Sequence, residues 1–195
     1  MSSPQPHSGS PGDKETEVKL AVSDAGAARE LLLRAGFAEL HERAFESNEV
    51  YDTPGGDLLL SRQLLRLRDF RNEAIVTFKG PPEPGPHKTR PEYETRVESA
   101  PAFRQILHAL GYRLTFRYEK YRTTLQRAGE PGHAVLDETP IGTFLELEGP
   151  AEWIDATADE LGFARASYIL LSYGSLYREH CQRAGIEPTH MVFSR

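Results

Sequence analysis

From Glu15 to Leu20 the chain settles into one-for-one alternation, the period of a strand: Val18 and Leu20 share one face and Glu15, Glu17 and Lys19 the other. The period then lengthens. Ala28, Leu31, Leu32 and Ala35 recur at helical spacing behind a cap at Ser23 or Asp24, and Gly36 closes the segment. Further strands are predicted over Phe37 to Thr53, Leu64 to Phe70, Glu73 to Lys79, Thr89 to Ser99, Tyr112 to Arg127, His133 to Glu138 and Thr143 to Glu148, which makes eight with the first. Pro101 opens a helix that runs to Leu110 and stops at Gly111, Glu152 to Leu161 stops at Gly162 in the same way, and Tyr173 to Ala184 reads as a last helix. The proline-rich stretch Pro81 to Pro91 is expected to be a mobile loop between strands.

With 195 residues, 38% of them hydrophobic, the chain can bury one core, so residues 14–195 are expected to form a single α+β domain. Residues 1–13 carry almost nothing apolar and are expected to be a disordered tail. His7 and His41 form no metal-ligand spacing. The lone Cys181 cannot form an internal disulfide, and the first residues lack the apolar run of a secretory signal. Apolar runs such as Ile169 to Leu171 fall far short of the roughly 20 residues that span a bilayer, so a cytoplasmic protein without membrane contact is expected, as monomer or homodimer. A net charge of -6, from 29 acids and 23 bases, gives no general attraction to nucleic acid or anionic lipid. Any basic site must be local.

The charges themselves fall at period two. Same-face pairs recur as Glu15 and Glu17, Arg66 and Arg68, Glu92 and Glu94, Lys120 and Arg122, and Glu146 and Glu148, with Lys79 and Asp137 near strand ends. One such face is ordinarily the wet side of a one-sided sheet. Repeated like-charge pairs on one face are a poor solution for a wet surface, because neighbouring carboxylates repel. If the strands instead close into an eight-stranded antiparallel barrel with helices on its apolar outside, the charged faces line the lumen. Seven acids and six bases in such a lumen would call for water and a charged ligand. Carboxylates without His or Cys partners suit Mg²⁺ or Mn²⁺, and arginines with lysines suit phosphate oxygens.

At these residues the sequence resembles the CYTH superfamily, the triphosphate tunnel metalloenzymes, over about Lys14 to Tyr177. The opening Glu15-Thr-Glu17-Val-Lys19 matches the family's Glu-x-Glu-x-Lys signature. It is followed in family order by Tyr51-Asp-Thr, Leu65-Arg66-Leu-Arg68, Thr77-Phe-Lys79-Gly, Glu92-Tyr-Glu94, Glu119-Lys120-Tyr-Arg122, Asp137, Gly142-Thr-Phe-Leu-Glu146-Leu-Glu148 and Ser172-Tyr173. The resemblance implies that Glu15, Glu17, Glu146 and Glu148 are the main ligands of two metal ions, with Asp137, and Glu92 and Glu94 in support. It implies phosphate contacts from Lys19, Arg66, Arg68, Lys79, Lys120 and Arg122, and a place for Tyr51 near the leaving group.

Three functions follow from that resemblance: metal-dependent hydrolysis of inorganic, thiamine or nucleoside triphosphate, cyclisation of ATP to cyclic AMP and pyrophosphate, and non-catalytic binding of polyphosphate. Hydrolysis is expected first, because no set of residues reads adenine, with Glu15, Glu17 and Lys19 at the reacting centre. Converging carboxylates without metal are also expected to hold raised pKa values, so that Glu146→Gln would leave the metal-free fold as stable as before.

Overall fold

The computed structural model describes residues 14–194, so the tail expected over residues 1–13 lies outside the described residues. The eight strands are β1 (Lys14–Val22), β2 (Ala38–Asp52), β3 (Leu64–Phe70), β4 (Glu73–Lys79), β5 (Lys88–Val97), β6 (Arg113–Gln126), β7 (His133–Thr139) and β8 (Gly142–Glu148). They close into an antiparallel barrel in the order β1-β5-β4-β3-β2-β6-β7-β8. The helices are α1 (Ala25–Arg34), α2 (Asp57–Leu60), α3 (Ala100–Ala109), α4 (Ala151–Glu160) and α5 (Tyr173–Ala184). Asp24, Ser99 and Ser172 cap the first turns of α1, α3 and α5 with side-chain oxygens. Gly36, Gly111 and Gly162 follow the last helical turns at φ of 84°, 92° and 84°, where a side chain would be strained. None of the helices is long and apolar enough to cross a membrane.

Apolar faces decide which side of the sheet is inside. Val18, Leu20, Leu136, Leu145 and Leu147 lie on the outer wall, where Leu32 of α1 and Ile154 and Ala158 of α4 cover them. Leu107 of α3 covers Leu67 and Tyr51 on the opposite side. Alternation then forces the residues between them, the charged ones, into the lumen.

One end of the barrel is partly filled by α5, whose Tyr173, Leu176, Tyr177 and Cys181 pack with Tyr118, Phe144 and Met191. The strand edges left open there are closed by short bridges, Ile169 to Lys19 and Met191 to Tyr118. Pro81 to Pro91 is less of a loop than expected. β5 already begins at Lys88, Glu83 N–H donates to Thr89 at 2.8 Å, and His87 is 2.8 Å from Asp155 of α4.

Candidate active site in the barrel lumen

A cavity of about 1830 Å³ runs through the barrel. Register explains its chemistry. Glu17 of β1 faces Glu148 of β8, and Lys19 faces Glu146. On the other edge of β1, Glu15 faces Arg90 and Glu17 faces Lys88 of β5. Across β4, Thr77 pairs with Glu94 and Lys79 with Glu92.

Glu15, Glu17 and Glu148 bring carboxylate oxygens within 4.8 Å of one another. Each also meets a base: Glu15 has Lys79 at 2.5 Å, Glu17 has Lys88 at 2.5 Å, and Glu148 has His133 at 3.1 Å. The three do not titrate alike. Burial, with Glu17 and Glu92 nearby, pushes Glu15 up to about 8 despite Lys79. Glu17 is buried too, yet Lys19 and Lys88 overcome that penalty and hold it well below the usual carboxylate range. Glu148 is lowered, burial being outweighed by the hydrogen bond from His133. A proton on Glu15 would relieve the repulsion of the group.

A second set of charges is already saturated. Asp137 accepts from Lys120 at 2.8 Å, from Arg122 through both oxygens, and from the Tyr173 hydroxyl at 2.8 Å. Glu146 lies 2.6 Å from both Lys19 and Arg122. Burial opposes ionisation of Asp137 and Glu146, but these cations leave both pKa values lowered.

The arginines Arg66, Arg68 and Arg90 of β3 and β5 are less occupied. Arg66 donates to Tyr118 at 3.3 Å and Thr77 at 3.1 Å, and Arg68 to Glu94 at 3.0 Å. The Nε–H groups of Arg66, Arg68 and Arg90 are buried and, among the described residues, have no hydrogen-bond partner. Orphaned donors of this kind are rare in folded proteins and cost about 1–3 kcal/mol each.

A family model for the CYTH domain matches residues 13–170. The chain belongs to the CYTH family. It is 30% identical over 135 residues, 69% of this chain and 75% of the relative, to a candidate adenylate cyclase of Methanocaldococcus jannaschii. Among solved structures, a candidate adenylate cyclase of Vibrio parahaemolyticus superposes with a TM-score of 0.72 at 21% identity, covering 85% of this chain and 98% of its own. HpAC1 from Hippeastrum, a candidate adenylyl cyclase with a dominant triphosphatase activity, superposes with a TM-score of 0.56 at 16% identity, covering 90% of this chain and 97% of its own. Both structural likenesses are of fold.

Within this CYTH barrel, Lys19, Arg66, Arg68, Lys79, Lys120 and Arg122 all line the cavity, as do Glu92, Glu94, Glu146 and Glu148. Asp137 lies buried behind them under Tyr173. Three details of the lumen bear on the sequence-based expectations. Asp137 and Glu146 lie outside the group of carboxylates close enough to share an ion, each held by cations of the wall, and among the described residues one acidic cluster could hold one ion. The carboxylate pKa values do not rise together, for the same reason. Tyr51 borders the cavity, with its hydroxyl donating to Glu49 at 2.9 Å and its ring packed under α3.

Lys88, Arg90 and Glu46 were not anticipated. Glu46 is fully buried, 3.4 Å from Lys120. Lys88 and Arg90 continue the period-two series of Glu92 and Glu94 backwards through Pro91, a signal visible in the sequence. Adding Glu46 to the seven expected acids, and Lys88 and Arg90 to the six expected bases, makes eight of each inside the barrel wall.

Proposed function

We propose that this CYTH protein hydrolyses a triphosphate group with the help of Mg²⁺ or Mn²⁺. The observation that carries this reading is the pairing, in one cavity, of three orphaned guanidinium donors with a three-carboxylate cluster. Phosphate oxygens satisfy the first and a hard divalent cation the second. The donor set fits such an ion: Glu15, Glu17 and Glu148 supply oxygen only, from oxygens already within 4.8 Å of each other. We assign one resident ion there and the second expected ion to the incoming phosphates. When bound, the ion supplies charge neutralisation and acidifies water.

The protein's own residues then do the following. Arg66, Arg68 and Arg90 take phosphate oxygens with guanidinium groups whose Nε–H donors have no hydrogen-bond partner among the described residues. Lys19, held between Glu146 and Glu17 and raised above the ordinary lysine range by those carboxylates against the penalty of burial, remains charged at every working pH and stabilises the leaving oxygen. Lys120 and Arg122 hold Asp137 and Glu146, and so fix the wall opposite β3. Positioning and charge are the principal demands of phosphoryl transfer.

Cyclisation of ATP is the second reading, supported by the likeness to the candidate cyclase of M. jannaschii. One experiment separates the two. Tripolyphosphate, thiamine triphosphate and ATP are supplied with Mg²⁺ or Mn²⁺, and phosphate, pyrophosphate and cyclic AMP are measured together. Phosphate release supports hydrolysis. Equal yields of cyclic AMP and pyrophosphate without phosphate would establish the cyclase, and no turnover of any of the three would reject both.

A further inference from the structure

β5 enters the barrel with little backbone support. Its ladder to β1 covers Lys88 to Pro91, but its ladder to β4 ends at Glu92. On the β4 side the entering residues are joined by two backbone bonds, from Gly80 N–H to Pro91 and from Glu83 N–H to Thr89, both at 2.8 Å. Pro81, Pro82, Pro84 and Pro86 carry no N–H, so the preceding loop has few backbone donors with which to hold itself. Yet this stretch brings Lys88 and Arg90 to the cavity. Lys88 is pinned by Glu17 at 2.5 Å, whereas the unpartnered Nε of Arg90 is 3.8 Å from Glu15, beyond hydrogen-bond reach. The aim of Arg90 therefore depends on where its backbone is held.

A side-chain node outside the barrel wall supplies an anchor. Alternation turns His87 outward as Lys88 turns inward, and His87 is buried with its Nε2 at 2.8 Å from Oδ1 of Asp155 on α4. The same oxygen accepts the Tyr168 hydroxyl at 3.0 Å, and Oδ2 accepts from Arg165. The Tyr168 ring lies 5.9 Å from the imidazole. α4 is itself fixed, its Ile154 and Ala158 being packed on the barrel with Val18 and Leu147. Next to Tyr168, Ile169 exchanges two backbone bonds with Lys19, at 2.8 and 3.1 Å. One carboxylate outside the barrel thus ties the entry of β5 to α4 and to the backbone of β1.

We infer that His87, held by Asp155 and Tyr168, is a positioning residue that sets Arg90 for the phosphate from outside the lumen, without touching the substrate. None of the three borders the cavity. Misplacing a substrate-holding group by roughly 1 Å can cost about a hundredfold, so an anchor remote from the phosphates can govern how well they are held. The inference rests on the triphosphate reading of the lumen, and the two can fail separately.

The test measures kcat and KM with Mg²⁺ for whichever of tripolyphosphate, thiamine triphosphate and ATP the wild type turns over fastest. The variants are His87→Ala, His87→Gln, Arg90→Ala and the double variant of His87→Ala with Arg90→Ala. His87→Ala should raise KM about tenfold and keep kcat within about twofold, because Arg90 supplies phosphate contact in the ground state and the transition state alike. A glutamine amide keeps a donor near the place of Nε2, so His87→Gln should bring KM back to within about threefold of the wild type. In the Arg90→Ala background the loss of His87 should cost less than about twofold, since a residue that acts through Arg90 then has nothing to position. Tyr168→Phe removes a single hydrogen bond and serves if His87→Ala does not fold, with KM expected about threefold higher. Unchanged KM in folded His87→Ala and Tyr168→Phe, or an equal loss with and without Arg90, would overturn the positioning role and leave the phosphate site standing. No turnover of the three compounds, together with no calorimetric binding of tripolyphosphate, would overturn the lumen reading and the positioning role with it.

Discussion

Tyr173 donates its hydroxyl to Oδ2 of Asp137 at 2.8 Å, fastening the first residue of α5 to the inner wall of the barrel. Its ring also lies 4.9 Å from the Lys19 ammonium and 5.0 Å from that of Lys120. Tyr173→Phe keeps the ring contacts and removes one hydrogen bond to a buried carboxylate. The expected cost is about 2 kcal/mol, read by urea denaturation, with faster hydrogen exchange in α5. Unchanged stability and exchange would mean that the apolar contacts of α5 hold it alone.

Glu146→Gln gives a stability result opposite to the one expected from carboxylate repulsion. Glu146 is nearly inaccessible and 2.6 Å from both Lys19 and Arg122, so the substitution leaves two buried cations short of a partner. The metal-free variant should lose about 3 kcal/mol. The sign with pH follows from the lowered pKa: the stabilisation is present above the ordinary glutamate value and is lost as pH falls through the folded value. The difference in melting between wild type and variant should therefore be full at pH 7 and shrink as pH falls below the ordinary glutamate value. Equal melting at pH 7 would show that the ion pairs are energetically idle.

The barrel and the inward charge were legible because alternation fixes which residues share a face, and the apolar partners Val18, Leu20, Leu145 and Leu147 fix which face is outside. Sorting ligands from ion pairs was not legible. Glu146 and Glu148 are equivalent in pattern, and only the β1 to β8 register, which sets Glu148 against Glu17 and Glu146 against Lys19, separates them. In β2 the register shifts between Glu39 and His41, between His41 and Ala44, and between Val50 and Tyr51 obscured the phase. Glu46 was missed for that reason.

Arg66→Ala should separate function from stability. Arg66 is buried, its nearest carboxylate, Glu94, is 3.8 Å away, and one of its N–H donors is unpartnered. Loss of this cation should lower kcat/KM for a triphosphate about a hundredfold, while stability changes by less than about 1 kcal/mol. A folded variant with the kinetics of the wild type would remove Arg66 from the phosphate site.

Metal binding should be tied to a proton on Glu15. Burial, together with Glu17 and Glu92, raises this group to about 8, so at pH 7 it is largely protonated and a cation must displace that proton. Mg²⁺ affinity is expected to rise about tenfold per pH unit between pH 6 and pH 8 and then level off, with about one proton released per ion at pH 7. Titration calorimetry in two buffers of different ionisation enthalpy counts that proton. The stability of the metal-free protein carries the same information with a definite sign. A folded pKa raised above the unfolded one gives a contribution fully present below the unfolded value of 4.5 and lost as pH climbs through about 8. Saturating Mg²⁺ should flatten that decline, and Glu15→Gln should abolish it. Lys88 is also pushed down to about 8 by burial despite Glu17, which makes stability rise with pH above that value, so the Glu15 contribution is read below it as the difference between wild type and Glu15→Gln. Mg²⁺ binding that releases no proton and keeps the same affinity from pH 6 to pH 8 would place the ion away from Glu15, and the three-carboxylate site would fall with it.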